Sequence, residues 1–170
     1  TGGRFYHDDD WEFFDTQNVG YEYADGKLIT WEGMSCNGFE TNGRDRGVTI
    51  HGANGTAMID RNSYILFDKD NNAIKEVKEA SKSETTNVLG RGALTDYHMQ
   101  NFVDAIRKGT PLNAPIEETR KSTLHCHLGN ISQFTARTLN IDDATGHVVD
   151  DKEAVQYWSR EYEPGWELKI

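Results

Sequence analysis

Cysteine is nearly missing: Cys36 and Cys126 are the only two in 170 residues, far apart and in no CxxC unit. That excludes a disulfide framework and a cysteine zinc site, and both are expected to be free thiols. Proline is equally sparse, with three residues, and basic side chains are outnumbered by acidic ones, 18 against 28. The lysines and arginines are scattered rather than gathered in a stripe, so nothing marks a phosphate-backbone surface and nucleic acid is not an expected partner. No apolar run approaches the ~20 residues that span a bilayer. The start at Thr1-Gly2-Gly3-Arg4 has no charged-then-apolar leader and no methionine. A processed or cut end is therefore expected, which leaves the compartment, cytoplasmic or periplasmic, unread.

With 36% hydrophobic and 27% charged residues the composition is that of a globular protein. The length suits one domain with a real core, taken here as residues 1–170.

Strand signals fill the first half. Residues 16–24 and 27–31 flank Asp25-Gly26, a pair that suits a tight two-residue hairpin. The same device recurs at Asn54-Gly55 between residues 47–51 and 56–60, and a run at 63–67 leads into the turn-rich residues 68–72. An antiparallel meander follows. Tyr21 and Tyr23 alternate with Glu22, and Val48 and Ile50 with Thr49, as expected where one sheet face meets helices and the other is partly polar. Residues 76–92 are polar, without apolar period, and predict a surface connection.

Helices come later. Thr95 can cap a helix carrying His98, Phe102 and Ile106 at helical spacing, with Gly109 and Pro111 as its stop. Pro115 suits the first turn of a second, longer helix. Glu117 and Glu118 complement its dipole, and Leu124, Leu128, Ile131 and Thr135 form its inward stripe. A short helix is expected over residues 151–158, and the aromatic segment 162–166 is expected to fold back on the body. Strands first, helices second and hairpin connections throughout predict an α+β domain, a largely antiparallel β-sheet with helices packed on one face.

Chemistry-bearing residues are few. Six glycines lie between Gly33 and Gly55, yet a dinucleotide loop needs GxGxxG between a strand and a helix, and Gly43-Arg44-Asp45-Arg46-Gly47 runs into a strand. It reads as a turn. His7-Asp8-Asp9-Asp10 holds metal-ligand types, but neighbours in sequence rarely converge on one ion, so a solvated loop is the simpler reading. His125 and His127 are two apart and face different ways on a helix. His127 falls on the Leu124 and Ile131 stripe, where a hydrogen-bonded core histidine is expected, with a cleft role as the alternative. Gly129 and Asn130 interrupt the helix, so something approaches there closely. Another helix is the simpler candidate, a ligand or partner domain the other. His98 and Asn101, with Trp31, Trp11 and Tyr6, offer rings and polar tips suited to a sugar. The substrate-binding candidates are therefore His98, Asn101, His127, Asn130 and Trp31. No catalytic, cofactor-binding or metal-ligating residue is assigned.

Read in order, Gly2-Gly3-Arg4-Phe5, Asp15-Thr16-Gln17, Tyr23-Ala24-Asp25-Gly26, Trp31-Glu32-Gly33 and the glycines from Gly47 through Gly52 to Gly55 resemble the Gfo/Idh/MocA oxidoreductases. The segment His98 to Gly109, carrying Asn101-Phe102 and Asp104-Ala105-Ile106-Arg107, is similar to the helix before that family's final helical unit. Residues 122–139 resemble the unit itself, and Trp158-Ser159-Arg160-Glu161-Tyr162 with Pro164-Gly165-Trp166 resembles the ending of bacterial members.

The resemblance implies a two-domain enzyme. A Rossmann domain would bind NAD or NADP and supply the lysine. An α+β domain, of the type shared with dihydrodipicolinate reductase, would shape the substrate site and support homo-oligomer contacts through its sheet. This chain resembles part of that second domain. The catalytic lysine, and the aspartate and histidine that assist it, would lie ahead of Thr1, leaving the chain inactive alone. The implied partners are its own Rossmann domain, a second copy and a sugar or polyol. Two alternatives stay open: the same family's NAD-dependent glycosidases, and a stand-alone carbohydrate-binding or structural module.

Overall fold

The computed structural model describes residues 1–61, 63–78 and 93–167. In chain order the elements are β1 (Gly2–Gly3), β2 (Thr16–Glu22), β3 (Leu28–Met34), β4 (Val48–Gly52), β5 (Gly55–Ile59), β6 (Ser63–Phe67), β7 (Ala73–Lys78), α1 (Ala93–Lys108), α2 (Ile116–Thr135), β8 (Asn140–Ile141), β9 (Val148–Val149) and α3 (Lys152–Gln156). Every strand pairing is antiparallel, and the α+β composition is the expected one. Instead of one sheet the strands form three, ordered β1-β2-β3, β4-β5-β6-β7 and β8-β9. The chain gathers into two compact units, Thr1–Cys36 with Ala114–Ile170, and Asn37–Asn113.

The first unit is built on helix α2. Its sequence supplies the expected stripe, and Leu128, Ile131 and Thr135 are buried while Leu124 packs partly against them. Val148 of β9 and Ala154 of α3 complete the core, with Tyr21, Leu139 and Ile141 around it. Pro115 is the N-cap, and the helix closes at Ala136 (φ 52°), where the N–H groups of Ala136 and Arg137 return to Gln133 and Ser132 at 3.2 Å. Such a left-handed close satisfies carbonyls that the last turn would otherwise orphan. Helix α3 is capped by Asp151, which accepts from the Ala154 N–H at 2.9 Å. Arg137 forks onto the same carboxylate at 2.6 and 2.8 Å and reaches Glu153 at 2.8 Å. That guanidinium, above all, holds the Asp151 carboxyl well below its usual range.

Turn chemistry departs from expectation in an instructive way. Asp25-Gly26 does turn the chain, but through a three-residue loop. Tyr23 and Lys27 close it, the Gly26 N–H donates to the Tyr23 carbonyl at 2.9 Å, and Gly26 takes φ 80°. Lys69, Asp70 and Asn71 repeat this loop between β6 and β7, with Asn71 at φ 64° in the glycine's place. In β4-β5 the loop is Ala53-Asn54, because Gly52 and Gly55 pair with each other. The two-residue turn with both central φ angles positive falls elsewhere. Asn42 (54°) and Gly43 (71°) are its centre, and Thr41 and Arg44 exchange N–H···O bonds of 3.0 and 3.2 Å.

Other expectations shift too. Helix α1 starts at Ala93, so Thr95 lies inside its first turn and does not cap it. Gly109 (φ 69°) ends it as expected. The aromatic end is only half tucked in: Arg160 lies over the Tyr162 ring at 4.8 Å, whereas Trp166 is 78% exposed and does not fold back. Most of the connection expected over 76–92 lies outside the described residues.

Candidate functional site

Strand β2 alternates, and its period of two sends Gln17, Val19 and Tyr21 to one face. That face meets helix α2 through polar groups. Gln17 Nε2 donates to the Gly129 carbonyl at 3.4 Å and to Asn130 Oδ1 at 3.3 Å. Tyr21 Oη donates to the His125 carbonyl at 2.6 Å, and Gln133 Nε2 donates to the Gly2 carbonyl at 3.0 Å. The buried Gln133 Oε1 accepts no hydrogen bond from the described residues.

The close approach demanded by Gly129 is explained here. A Cβ on Gly129 would lie 2.6 Å from Tyr21 Oη and 3.3 Å from a Val19 methyl. What approaches is a strand, neither the helix nor the ligand expected, and α2 runs through Gly129-Asn130 unbroken.

His125 sits at one end of this seam. Its Nδ1 is 2.7 Å from the Lys121 carbonyl, which can only accept, so Nδ1 carries the proton. Nε2 lies in hydrogen-bond contact with the Tyr23 hydroxyl. Tyr21 crosses the imidazole edge-on at 5.1 Å, and burial, with Cys126 and Tyr23 nearby, raises its phenol above the ordinary value.

At the other end, Asp15 organises the loop before β2. Its buried carboxylate accepts from the N–H groups of Phe5 (3.0 and 3.2 Å), Tyr6 (2.9 Å) and His7 (3.1 Å), and from the Thr16 hydroxyl (2.9 Å). Tyr6 foremost, these donors hold its carboxyl far below the ordinary carboxylate range despite the cost of burial. In the acidic run, Asp9 pairs with Arg4, which lowers its pKa, while Asp8 and Asp10 stay exposed. Among the described residues no three His, Cys, Asp or Glu side chains converge as a metal site.

In the second unit the Asn42-Gly43 turn presents Arg44 to three partners: Asp60 at 2.6 Å, Ser63 Oγ at 3.1 Å and Met58 Sδ at 3.1 Å. Asp60 also accepts from the Ser63 N–H and hydroxyl at 2.6 and 2.7 Å. Beside this cluster lies an open depression of about 490 Å³, bordered by Glu40, Arg46, Arg61 and Lys78. Its charges are largely spent on one another, since Arg46 pairs with Asp45 and Lys78 with Glu76. The glycine-rich stretch builds this turn and the strands after it, and opens no helix onto which a pyrophosphate could dock.

The five candidates divide between the units. Asn130 lies in the seam, bonded to Gln17. His127 is exposed and is not the core histidine expected; of the two histidines it is His125 that is engaged. Trp31 pairs across from Val19 in β3, 56% exposed, with its indole beside Gly33. His98 and Asn101 belong to the second unit. His98 is exposed on α1, while Asn101 clamps the following loop, donating to the Pro111 carbonyl at 3.0 Å and accepting from the Asn113 N–H at 2.9 Å. Gln17, Tyr21, Tyr23, His125 and Gln133 were not among the substrate-binding candidates, although His125 was weighed beside His127. The period of β2, read together with the space demanded by Gly129, was the signal that joins them.

The chain matches no protein-family model, no curated protein and no solved structure. No helix among the described residues is long and apolar enough to cross a membrane.

Proposed function

We propose that this chain is substrate-side structure of an NAD(P)-dependent oxidoreductase of the Gfo/Idh/MocA type, acting on a sugar or polyol, with the cofactor held by another domain. The observation that carries the reading is the seam between β2 and α2. There amide, phenol and imidazole groups of Gln17, Asn130, Gln133, Tyr23 and His125 occupy a sheet face that would ordinarily be apolar. Such groups both donate and accept, which is the chemistry that reads hydroxyls. The family is proposed from the order of sequence motifs, and the mixed helix and antiparallel-strand composition is the general feature that supports it. In the intact protein the seam would orient hydroxyls, while hydride transfer and cofactor binding belong to the other domain.

The test uses full-length protein with NAD or NADP and a panel of sugars and polyols. Reduced cofactor should accumulate with at least one of them, and Asn130→Leu should lower kcat/KM by roughly tenfold or more, the effect of one buried hydrogen bond to substrate. Release of a glycosidic leaving group without net reduction would assign the glycosidase chemistry instead. Sugar binding with neither reaction would leave a carbohydrate-binding module.

A further inference from the structure

We propose that the half-exposed rings of Trp11, Phe13, Phe134 and Tyr157 form a docking face for an arginine-bearing segment of a partner polypeptide. The rings belong together. Trp11, Phe13 and Phe14 line one small hollow of about 70 Å³. Phe13 and Phe14 meet Phe134 at centroid distances of 5.9 and 5.0 Å, and Phe134 stacks on Tyr157 at 5.5 Å with planes 5° apart. Yet Trp11, Phe13, Phe134 and Tyr157 remain 70, 48, 38 and 49% exposed. A contiguous group of open rings is uncommon on a finished surface, and aromatic residues with arginine dominate the energetics of interfaces.

Charge selects the occupant. Asp10 and Glu12 flank Trp11 in sequence, Asp8 lies just before them, and all three are exposed and, among the described residues, make no ion pair or hydrogen bond. The one arginine of this loop, Arg4, is taken by Asp9. A second copy of the chain would bring these carboxylates against their own kind, on a molecule of net charge −10. An anionic membrane would be repelled likewise. The group that satisfies rings and carboxylates together is guanidinium, which stacks flat on an aromatic face and forks onto a carboxylate. Lysine offers the charge without the plane.

The experiment titrates full-length protein by calorimetry with a synthetic peptide of Arg-Leu-Ser repeats and with its lysine counterpart, at low and high salt. The arginine peptide should bind more tightly than the lysine one. Binding should weaken about tenfold in Trp11→Ala/Phe13→Ala and in Asp8→Asn/Asp10→Asn/Glu12→Gln, a change typical of losing interface anchors. A control neutralising Asp143, Asp150 and Glu161, an equal change in net charge outside the loop that carries Trp11 and Phe13, should weaken binding by much less than the change at Asp8, Asp10 and Glu12. Circular dichroism checks that each variant is folded, and the exposure of the substituted side chains makes loss of fold unexpected. Equal affinity for the two peptides, equal losses in both neutralised variants, or no binding at low salt would each overturn the proposal. So would light scattering that showed a dimer dissociating in Trp11→Ala/Phe13→Ala.

Discussion

In the unit built on helix α2, Ile131 and Ala154 are 4% and 0% exposed, whereas in Asn37–Asn113 no described residue is fully buried. The first unit is assembled from segments remote in sequence: Gln17 bonds to Asn130, 113 residues away, and Gln133 to Gly2, 131 away. In the second, neighbouring strands pair through short loops, and the most sheltered polar cluster, Arg44 with Asp60 and Ser63, spans under 20 residues. One unit therefore rests on excluding water from a few aliphatic side chains, the other on local backbone geometry and one sheltered ion pair, Arg44 with Asp60. The difference teaches where substitutions should be felt.

The largest break should come from Ile131→Ala. Emptying this core position should cost about 2–5 kcal/mol, read as a lower urea midpoint. A cost under about 1 kcal/mol would mean that the site collapses freely and is no core.

Gly129→Ala should come next. The added methyl meets Tyr21 Oη and Val19, so overpacking should destabilise by about 1–3 kcal/mol. Combined with Tyr21→Phe, the clash is relieved and alanine's helix preference of about 1 kcal/mol should emerge. That reversal in a double-mutant cycle is the sharper test, because strand and helix come from opposite ends of the chain.

Arg44→Met should cost a comparable or smaller amount, about 1–3 kcal/mol for the lost charged hydrogen bonds, and the loss should stay local. Hydrogen exchange should quicken at amides of β4 to β7 and remain unchanged at Leu128 and Ile131. Spread of the effect to α2 would mean that the loss is not local.

The effect of Asp15 differs in kind, because it depends on pH. Its folded pKa lies below the unfolded value of ~3.9. Its contribution to stability is therefore complete above that value and is lost as pH falls through the folded one. The gap in Tm between the native chain and Asp15→Asn should narrow as pH falls from about 6 to about 3. A constant gap would mean that the carboxylate's charge is immaterial to the loop.

How much was legible follows the same division. The stripe Leu124, Leu128, Ile131 and Thr135 and the turns after Tyr23 and Phe67 can be read from local periodicity and composition, because each needs only near neighbours. Turn type was harder. Asp25-Gly26 and Asn54-Gly55 look like the centres of two-residue hairpins, but pairing of Tyr23 with Lys27 lengthens the first loop to three residues, pairing of Gly52 with Gly55 shifts the second to Ala53-Asn54, and the turn with both central φ angles positive fell on Asn42-Gly43. The site was the least legible part. Periodicity put His127 on the buried stripe, yet it is the hydroxyls of Tyr21 and Tyr23, more than 100 residues earlier, that hold His125.

The amino-acid sequence by itself determined the α+β composition, the hairpins and the inward face of α2, because hydrophobic period and turn residues act over a few positions. Only the tertiary structure decided that the described strands form three sheets, that a strand fills the space left by Gly129, and that His125 is engaged while His127 faces water. Those outcomes depend on which distant surfaces meet, and no local pattern carries the free energy of that meeting.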